Sequence, residues 1–440
     1  MVKRTWLPAV VVLAFVAGAC TGGGGGGESP GANGTTGVQH ITLWQGYGAP
    51  TQPGETPNRE ADSMRALVEE FNSTHPDISV EIINYNNDNA LAKLTVALQA
   101  GEPPDVTYQY GSSMPQLAAA PGIVDLTSRV GASGFDWNDF YPGEREAATV
   151  DGRVLGIPAL VDNLAIVYNK DLFDQAGLSY PTPDWTWDDF RAAAKALTDP
   201  ATKTFGFAFP ADASEDTVWH YDAMLWEAGG DILNDDNTEA AFDSQAGVTA
   251  LQTLADMAVT DKSVYLDFQN TKIAGLFNSN KIGMAVTGPW DLPSFPDVNY
   301  GVQIMPMFPG GDHQTIAGPD NWVLFDNGAA RLAAAWTFVS WLTAPEQVLT
   351  DSLATGHLPI RQSVTELPKF DRFATKFPGV DVFVANLANV QKARPVLKSY
   401  PRISEAMGQA IIAAMTGEKT PQQALSGAAQ QVNDILAIPA

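Results

Sequence analysis

Six aromatic side chains lie at or beside the ends of segments that have the pattern of β-strands, next to turn residues: Trp44, Tyr47, Tyr110, Trp219, Trp290 and Trp322. Strand ends border the ligand cleft in open α/β sheets. A flat aromatic face packs on the C–H face of a sugar ring, while Asp, Asn, Gln and Arg side chains hydrogen-bond its hydroxyl groups. The set therefore favours a carbohydrate site, although core packing is the commoner role of any single aromatic residue.

Signatures of catalytic and metal sites are missing from the sequence. There is no G-x-S-x-G elbow, phosphate-binding loop or H-E-x-x-H motif. The five histidines are scattered, and the acidic stretch 231–237 lacks the alternation and the glycine of an EF-hand loop. Carboxylates are too numerous for a glycosidase pair to be chosen from sequence. We predict a protein that is not an enzyme, with no metal site and no cofactor.

The only cysteine, Cys20, follows an apolar run from Leu7 to Ala19 that begins just after Lys3 and Arg4. A positive start, a short apolar stretch and small residues before the cysteine are typical of a secretory signal. The segment resembles the lipobox of bacterial lipoproteins, in which the cysteine becomes the acylated first residue, although Ala17 stands where Leu is usual. We predict a signal peptide over 1–19, then a lipidated Cys20 and a glycine-rich linker over 20–39. An ordinary secretory peptide with an incidental cysteine is the alternative.

Charge and cysteine content exclude several partners and chemistries. The formal net charge is −25, and residues 1–20 hold two bases and no acid, so the remainder carries −27. Such a chain repels nucleic acid and anionic lipid, and no second apolar run could cross a bilayer, which leaves the lipid on Cys20 as the membrane attachment. Without another cysteine, disulfides, thiol nucleophiles and Cys-ligated metals are excluded for the mature protein.

Strand and helix patterns alternate along the chain. Ile41–Trp44 alternates like a strand, and Met64, Leu67, Val68 and Phe71 form one helix face. A near-continuous apolar run, 164–168, has the composition of a central strand, and Thr186 with Asp189 predicts a helix N-terminus. Further helices are predicted over 246–258 and 330–342, and strands over 282–286 and 302–305. The alternation predicts an α/β protein with largely parallel sheets, of about two domains.

Several motifs, in order and spacing, resemble family 1 extracellular solute-binding proteins. The strongest are Tyr168–Phe173, Thr186–Phe190, Gly288–Trp290 and Thr355–Arg361. The resemblance covers essentially the whole mature chain and implies the type II periplasmic-binding-protein fold, with two α/β lobes joined by hinge strands around a ligand cleft. It also implies a monomeric substrate-binding subunit of an ABC importer, which captures a sugar and delivers it to permease subunits at the outer face of the cell membrane.

The resemblance also implies where the chain crosses between the lobes. Crossings are expected near Val161, Gly318 and Ser363. Lobe 1 would comprise 40–161 and 318–362, and lobe 2 would comprise 162–317 and 363–440.

Ligand contacts are carried over from the similar maltose-binding proteins, position by position. Asp162 occupies the place of a sugar-binding carboxylate, and Trp219 and Trp290 match stacking positions. Ser404 stands where a further aromatic is usual, which suggests a ligand different from maltodextrin. The other implied contacts are Trp44, Gln45, Tyr47, Gln109, Tyr110, Ser112, Asn163, Gly318, Asp320, Asn321, Trp322, Tyr400 and Arg402.

Two other functions remain open at this point. Some members of the family bind glycerophosphodiesters or other polar solutes, and Arg361 or Arg402 in the cleft would favour an anionic ligand. A secreted carbohydrate-active enzyme would instead need two cleft carboxylates at hydrolytic separation. Neither the identity, linkage and length of a sugar nor the permease can be read from the sequence.

Overall fold

The apolar patterns of the sequence are realised in a computed structural model that describes residues 37–53, 57–85, 90–392 and 394–438. The predicted signal peptide, Cys20 and the linker up to residue 36 lie outside the described residues. No helix in these ranges combines the length and the apolarity that crossing a bilayer requires.

The strands are β1 (Gln39–Gln45), β2 (Ile78–Asn84), β3 (Val106–Tyr110), β4 (Thr149–Val150), β5 (Arg153–Val154), β6 (Ile157–Leu160), β7 (Ala165–Asn169), β8 (Phe205–Pro210), β9 (Val264–Asp267), β10 (Ile282–Thr287), β11 (Tyr300–Gln303) and β12 (Asp320–Leu324).

The α-helices are α1 (Arg59–Thr74), α2 (Ala90–Ala100), α3 (Met114–Leu117), α4 (Thr127–Val130), α5 (Pro142–Ala147), α6 (Lys170–Ala176), α7 (Trp187–Leu197), α8 (Glu215–Glu227), α9 (Gln245–Ala255), α10 (Ile273–Asn278), α11 (Ala329–Leu342), α12 (Pro345–Thr355), α13 (Asp371–Lys376), α14 (Val380–Asn386), α15 (Tyr400–Met415) and α16 (Pro421–Leu436).

Two five-stranded sheets organise the described chain. The first has the order β2-β1-β3-β12-β6, and the second has the order β11-β7-β10-β8-β9. Parallel pairs join β1 to β2 and β3, and β8 to β9 and β10. Antiparallel pairs join β12 to β3 and β6, and β7 to β10 and β11. The expectation of largely parallel sheets was therefore wrong, because strands next to the passages between the sheets run against their neighbours.

Most predicted elements are present with small shifts of their ends. Thr186 and Asp189 form a reciprocal capping box at the start of α7, as their spacing predicted. The helix predicted over 246–258 is α9, followed by a π-helical turn over Asp256–Thr260. The strand predicted over 302–305 lies two residues earlier, as β11.

The strand β7 shows why a central strand is apolar at every position. All five of its residues are buried. Ile166 and Tyr168 enter one hydrophobic cluster, while Ala165 and Val167 enter another. Because successive side chains of a strand point to opposite faces, both faces of this sheet are covered.

The chain passes from the first sheet to the second between β6 and β7, and returns between β11 and β12. Isolated bridges pair Asn163 with Ala317 and Val161 with Leu358, so the passing segments lie side by side. The lobe limits stay a prediction, and "lobe 1" and "lobe 2" below denote the ranges given above.

Candidate functional site

A cavity of about 230 Å³, here called the main chamber, is lined by residues of both lobes. Seven of the predicted contact residues line it, namely Tyr47, Tyr110, Asp162, Trp219, Trp290, Gly318 and Asp320. Seven further lining residues were not predicted, namely Glu60, Tyr108, Leu160, Glu215, Asp216, His357 and Arg394.

The lobe 1 face of the main chamber is built on strand ends. Tyr108 and Tyr110 lie two positions apart on β3, so both project from the same face of the strand. The ring of Tyr47 packs against that of Tyr108 with the centroids 5.2 Å apart. This face therefore presents phenol rings and hydroxyl groups to a ligand.

Asp320, the first residue of β12, lies beside these rings. The Tyr108 hydroxyl donates a hydrogen bond to Asp320 Oδ2, and the backbone N–H of Gly111 donates to Asp320 Oδ1 over 3.2 Å. Burial raises the pKa of Asp320 to about 7, although the hydrogen bond from Tyr108 opposes the rise. The carboxyl group can therefore accept hydrogen bonds as an anion or donate one when protonated.

The lobe 2 face carries the two tryptophans. Trp219 lies on α8, and Trp290 lies in the turn that follows β10. Their rings are tilted by 39° with the centroids 5.7 Å apart. Gly288 begins the Gly-Pro-Trp turn that carries Trp290, and a Cβ there would lie 1.7 Å from the Trp290 ring. The absence of a side chain at Gly288 is what lets Trp290 take its place at the cavity.

Three charged residues from distant parts of the chain form the junction cluster, namely Glu60, Asp162 and His357. His357 Nδ1 bonds Asp162 Oδ2, and His357 Nε2 lies 3.0 Å from Glu60 Oε1. Asp162 Oδ1 also accepts from the backbone N–H of Leu358 over 3.0 Å. Burial alone would lower the pKa of His357, but the attraction and hydrogen bonds of the two carboxylates hold it well above its ordinary value. Asp162 is only 1% exposed, so it is not a solvated loop acid.

Four lobe 2 residues form the wall cluster, namely Glu215, Arg394, Tyr400 and Ser404. Arg394 Nη1 lies 2.7 Å from Glu215 Oε1, and the Tyr400 hydroxyl donates to the same oxygen over 3.0 Å. Ser404 Oγ donates to Glu215 Oε2. Glu215 and Arg394 line the chamber, whereas Tyr400 and Ser404 hold Glu215 from behind.

A second cavity of about 260 Å³, the side chamber, shares Asp216 and Trp290 with the main chamber. Its other lining residues include His220, Asn270 and Asp291. His220 Nδ1 lies 2.8 Å from the backbone oxygen of Asp216, and Nε2 lies 3.0 Å from that of Val286. Carbonyl oxygens only accept, so this arrangement suits the imidazolium form, in which both ring nitrogens donate. Burial lowers the pKa of His220, but the charge and hydrogen bonds of Asp216 raise it above its ordinary value.

Asp291 lines the side chamber but not the main chamber. It accepts a hydrogen bond from Thr287 Oγ1 over 2.6 Å. Burial raises the pKa of Asp291 to about 6, against the lowering effect of that hydrogen bond. The two chambers therefore share Asp216 and Trp290, and each has carboxylates in its lining.

Nine predicted contact residues lie outside the main chamber's lining. Strand alternation explains several: Gln109 points away from Tyr108 and Tyr110, and its Nε2 donates to Thr107 Oγ1 over 3.2 Å. Gln45 is fully buried, and its Oε1 accepts from the backbone N–H of Tyr47 over 2.7 Å. The others are Trp44, Ser112, Asn163, Asn321, Trp322, Tyr400 and Arg402.

Most of these residues outside the main chamber's lining pack or hydrogen-bond elsewhere in the protein. Trp44 packs edge-on against Tyr85, and Trp322 packs edge-on against Tyr108. Asn163 donates to the backbone oxygen of Phe383 over 2.9 Å, which ties the β6–β7 passage to α14. Ser112 lines a different cavity of about 260 Å³. Asn321 is 1% exposed, with no hydrogen-bond partner for its side-chain atoms among the described residues.

The wall region corrects the predicted placement of its cation. Arg402 is exposed and lines an outer groove, whereas Arg394 is the arginine that lines the main chamber. Both residues belong to a stretch with several cations, and nothing local tells which of them points inward. Period-two spacing from Tyr110 could have found Tyr108, but no local signal could have found Arg394, Glu60 or His357.

The sequence profile of bacterial extracellular solute-binding proteins matches residues 57–349. The chain belongs to this family. Its fold is accordingly the two-lobed type II fold, as predicted. Within the described residues, no group of three or more His, Cys, Asp or Glu side chains could hold a metal ion.

Solved structures and curated relatives of similar length resemble this solute-binding protein. A cyclic α-maltosyl-1,6-maltose binding protein from Arthrobacter globiformis is 29% identical with a TM-score of 0.74, covering 91% of this chain and 99% of that one. An ABC substrate-binding protein from Listeria monocytogenes, solved with cycloalternan, is 25% identical with a TM-score of 0.80, covering 91% and 100%. The sn-glycerol-3-phosphate-binding periplasmic protein of Yersinia enterocolitica is 26% identical over 394 residues, 85% of this chain and 88% of the relative.

Proposed function

We propose that this protein binds a saccharide between its lobes and presents it to the permease of an ABC importer. One observation carries the proposal: Trp219 and Trp290 of lobe 2 share a chamber with Tyr47, Tyr110 and Asp320 of lobe 1. Aromatic faces and carboxylates from both sides suit a ring that is apolar on its face and polar at its edge. The Arthrobacter and Listeria proteins, named for or solved with cyclic saccharides, support the same class of ligand.

Closure of the lobes gives the binding event its consequence. A ligand that touches both faces makes its full set of contacts only when they approach, so it shifts the population toward the closed form. That form is the one we propose the permease recognises. The lobe limits at Val161, Gly318 and Ser363 are part of this proposal.

Attachment of the protein to the outer face of the membrane is proposed through lipid on Cys20. The glycine-rich linker would keep a monomeric binding domain near its permease. The intact mass of the mature N-terminus tests this attachment, since acyl groups on Cys20 add the mass of the lipid. A Cys20→Ala variant should lack the acyl groups and be released from the cells. Recovery of both proteins without a lipid mass would refute the anchor.

A glycerophosphodiester or another polar solute is the second candidate ligand; the Yersinia relative is named for a related phosphate monoester, sn-glycerol 3-phosphate. The charges around the main chamber disfavour it. Arg361 is 4% exposed, and its Nε donates to the backbone oxygen of Thr343 over 2.5 Å, so it is committed to the fold. Arg394 is already paired with Glu215, and a phosphate would face the carboxylates of the chamber.

Calorimetric titration with neutral mono- and oligosaccharides, sn-glycerol 3-phosphate and glycerophosphocholine tests the proposal. We expect a saccharide to bind and to change the fluorescence of Trp219 and Trp290. Binding of the phosphate compounds alone would overturn the saccharide assignment. Release of products from an incubated oligosaccharide would instead indicate a carbohydrate-active enzyme.

A further inference from the structure

The two chambers hold more negative than positive charge. Their carboxylates are Glu60, Asp162, Glu215, Asp216, Asp291 and Asp320, and their cationic groups are His220, His357 and Arg394. With both imidazoles protonated and all six carboxyl groups ionised, six negative charges face three positive ones, an excess of three. Protonation of Asp320, whose pKa burial raises to about 7, reduces this excess to two. The cations are already engaged, since each of them bonds a carboxylate of this same set or lies within 3.3 Å of one.

This excess becomes more costly when the lobes close. Glu60 and Asp320 belong to lobe 1, while Glu215, Asp216 and Asp291 belong to lobe 2. Closure brings the two sets together and removes water, which strengthens the repulsion between like charges. The hydroxyl groups of a neutral ligand donate hydrogen bonds to the carboxylates but leave the excess charge in place. A cationic group would neutralise part of it.

The aromatic rings add a second feature that suits a cation. Tyr47, Tyr108, Tyr110, Trp219 and Trp290 all line the main chamber. The negative face of an aromatic ring attracts an ammonium group, and several rings around one cavity are the usual site for such a group.

The indole N–H of Trp219 also indicates a polar ligand in the main chamber. Trp219 is 8% exposed, and its Nε1–H has no hydrogen-bond partner among the described residues. The neighbouring ring atom Cζ2 lies close to Gly318, 3.6 Å from where a Cβ would stand, and both residues line the main chamber. A buried indole N–H normally finds an acceptor, which a hydroxyl oxygen of the ligand would supply.

We propose that the ligand carries a positively charged nitrogen, as an amine-bearing saccharide does, bound where Asp216 and Trp290 join the two chambers. Asp216 Oδ2 accepts from Asn270 Nδ2 over 2.6 Å, and Oδ1 lies 3.3 Å from His220 Nδ1, which leaves further lone pairs on both oxygens. Asp291 lines the side chamber together with Asp216 and Trp290. This inference rests on the proposed saccharide function, because it concerns the same site.

Matched ligands that differ only in charge test the inference. Glucose, maltotriose and cellotriose are titrated at pH 7.5 as the neutral sugars, as the 2-amino-2-deoxy and 6-amino-6-deoxy derivatives, and as the 6-carboxylates. In at least one series, an amino derivative should bind roughly tenfold tighter than the neutral sugar, since close charge pairs are worth that much or more. The carboxylate should bind most weakly.

Variants tie the preference to the proposed place. Asp216→Asn should reduce the affinity for the amino derivative to about the affinity for the neutral sugar. Asp291→Asn should reduce the affinity for the amino derivative in part. Asp236→Asn, an exposed acid of lobe 2, removes the same charge and should change nothing. Asp291→Asn is the second test if Asp216→Asn does not fold, since an amide oxygen can still accept from Thr287.

The outcomes separate this inference from the proposed function. If neutral sugars bind as tightly as every amino derivative, the inference is wrong and the saccharide function stands. If the preference exists but survives both variants, the assigned carboxylates are wrong and the inference falls with them. If no saccharide binds in any form, both proposals fail.

Discussion

The junction cluster and the wall cluster both place charged side chains at the main chamber, but they differ in their cation and in their reach. In the junction cluster an imidazole joins Glu60 of α1 to Asp162, which are separated along the chain by β2–β6. In the wall cluster a guanidinium and its partners all belong to lobe 2. An imidazole can lose its charge as the pH rises, in His357 above neutral pH because the two carboxylates raise its pKa, whereas a guanidinium keeps its charge. The link between distant segments is therefore sensitive to pH, while the wall that faces the ligand is not.

The largest effect is expected from Arg394→Met in the wall cluster. Glu215 would lose its cation while its carboxylate remains largely buried, and breaking a buried ion pair costs about 3 kcal/mol or more. Because the Glu215 side chain is 28% exposed, we expect the lower end, about 3 kcal/mol, measured by denaturant unfolding. Arg402→Met, an exposed arginine, is the matched control and should change stability by less than about 0.5 kcal/mol. Equal losses in the two variants would contradict the assignment of Arg394 to the wall.

The next effect concerns the junction cluster and its pH dependence. His357→Gln removes hydrogen bonds to two carboxylates and should cost about 2 kcal/mol at pH 6. The folded pKa of His357 lies above that of an unfolded histidine, so its stabilisation is complete below about pH 6.5 and is lost as pH rises through the raised pKa. The gap between wild type and variant should therefore narrow with rising pH. Exposed His40→Gln should show no such trend, and a gap that widens toward alkaline pH would refute the imidazolium bridge.

A third effect tests whether the junction cluster also contacts ligand. Asp162→Asn should weaken the affinity for a bound saccharide about tenfold, because a hydrogen bond to a charged group is worth about 1.4 kcal/mol or more. Calorimetry measures the change, with Asp236→Asn as the control of equal charge. Unchanged affinity in Asp162→Asn would restrict Asp162 to a structural role at the lobe junction.

The smallest effect separates support from contact within the wall cluster. Ser404→Ala removes a hydroxyl that donates to Glu215 from behind, so stability should fall by about 1 kcal/mol. Saccharide affinity should stay within about twofold, since Ser404 does not line the main chamber. A loss of affinity larger than the loss of stability would mean that Ser404 reaches the ligand directly.

Sequence reasoning succeeded where the signal was local. The capping box of α7 and the buried strand β7 follow from residues within a few positions of one another. Trp219, Trp290 and Asp162, which the resemblance implied as ligand contacts, line the main chamber, and their contact with ligand stays a prediction. Gln109 was also implied, but it lies outside this lining, because it is on the opposite face of β3 from Tyr108 and Tyr110.

The sequence by itself determined the elements, the family and most of the aromatic lining, because helix and strand periodicity, caps and turn glycines act over a few residues. Only the tertiary structure decided which charges meet. His357 lies 195 residues from Asp162 and 297 from Glu60, and Arg394 lies 179 from Glu215. No local pattern encodes such pairs, because they form only when packing brings distant segments together and excludes water from between them.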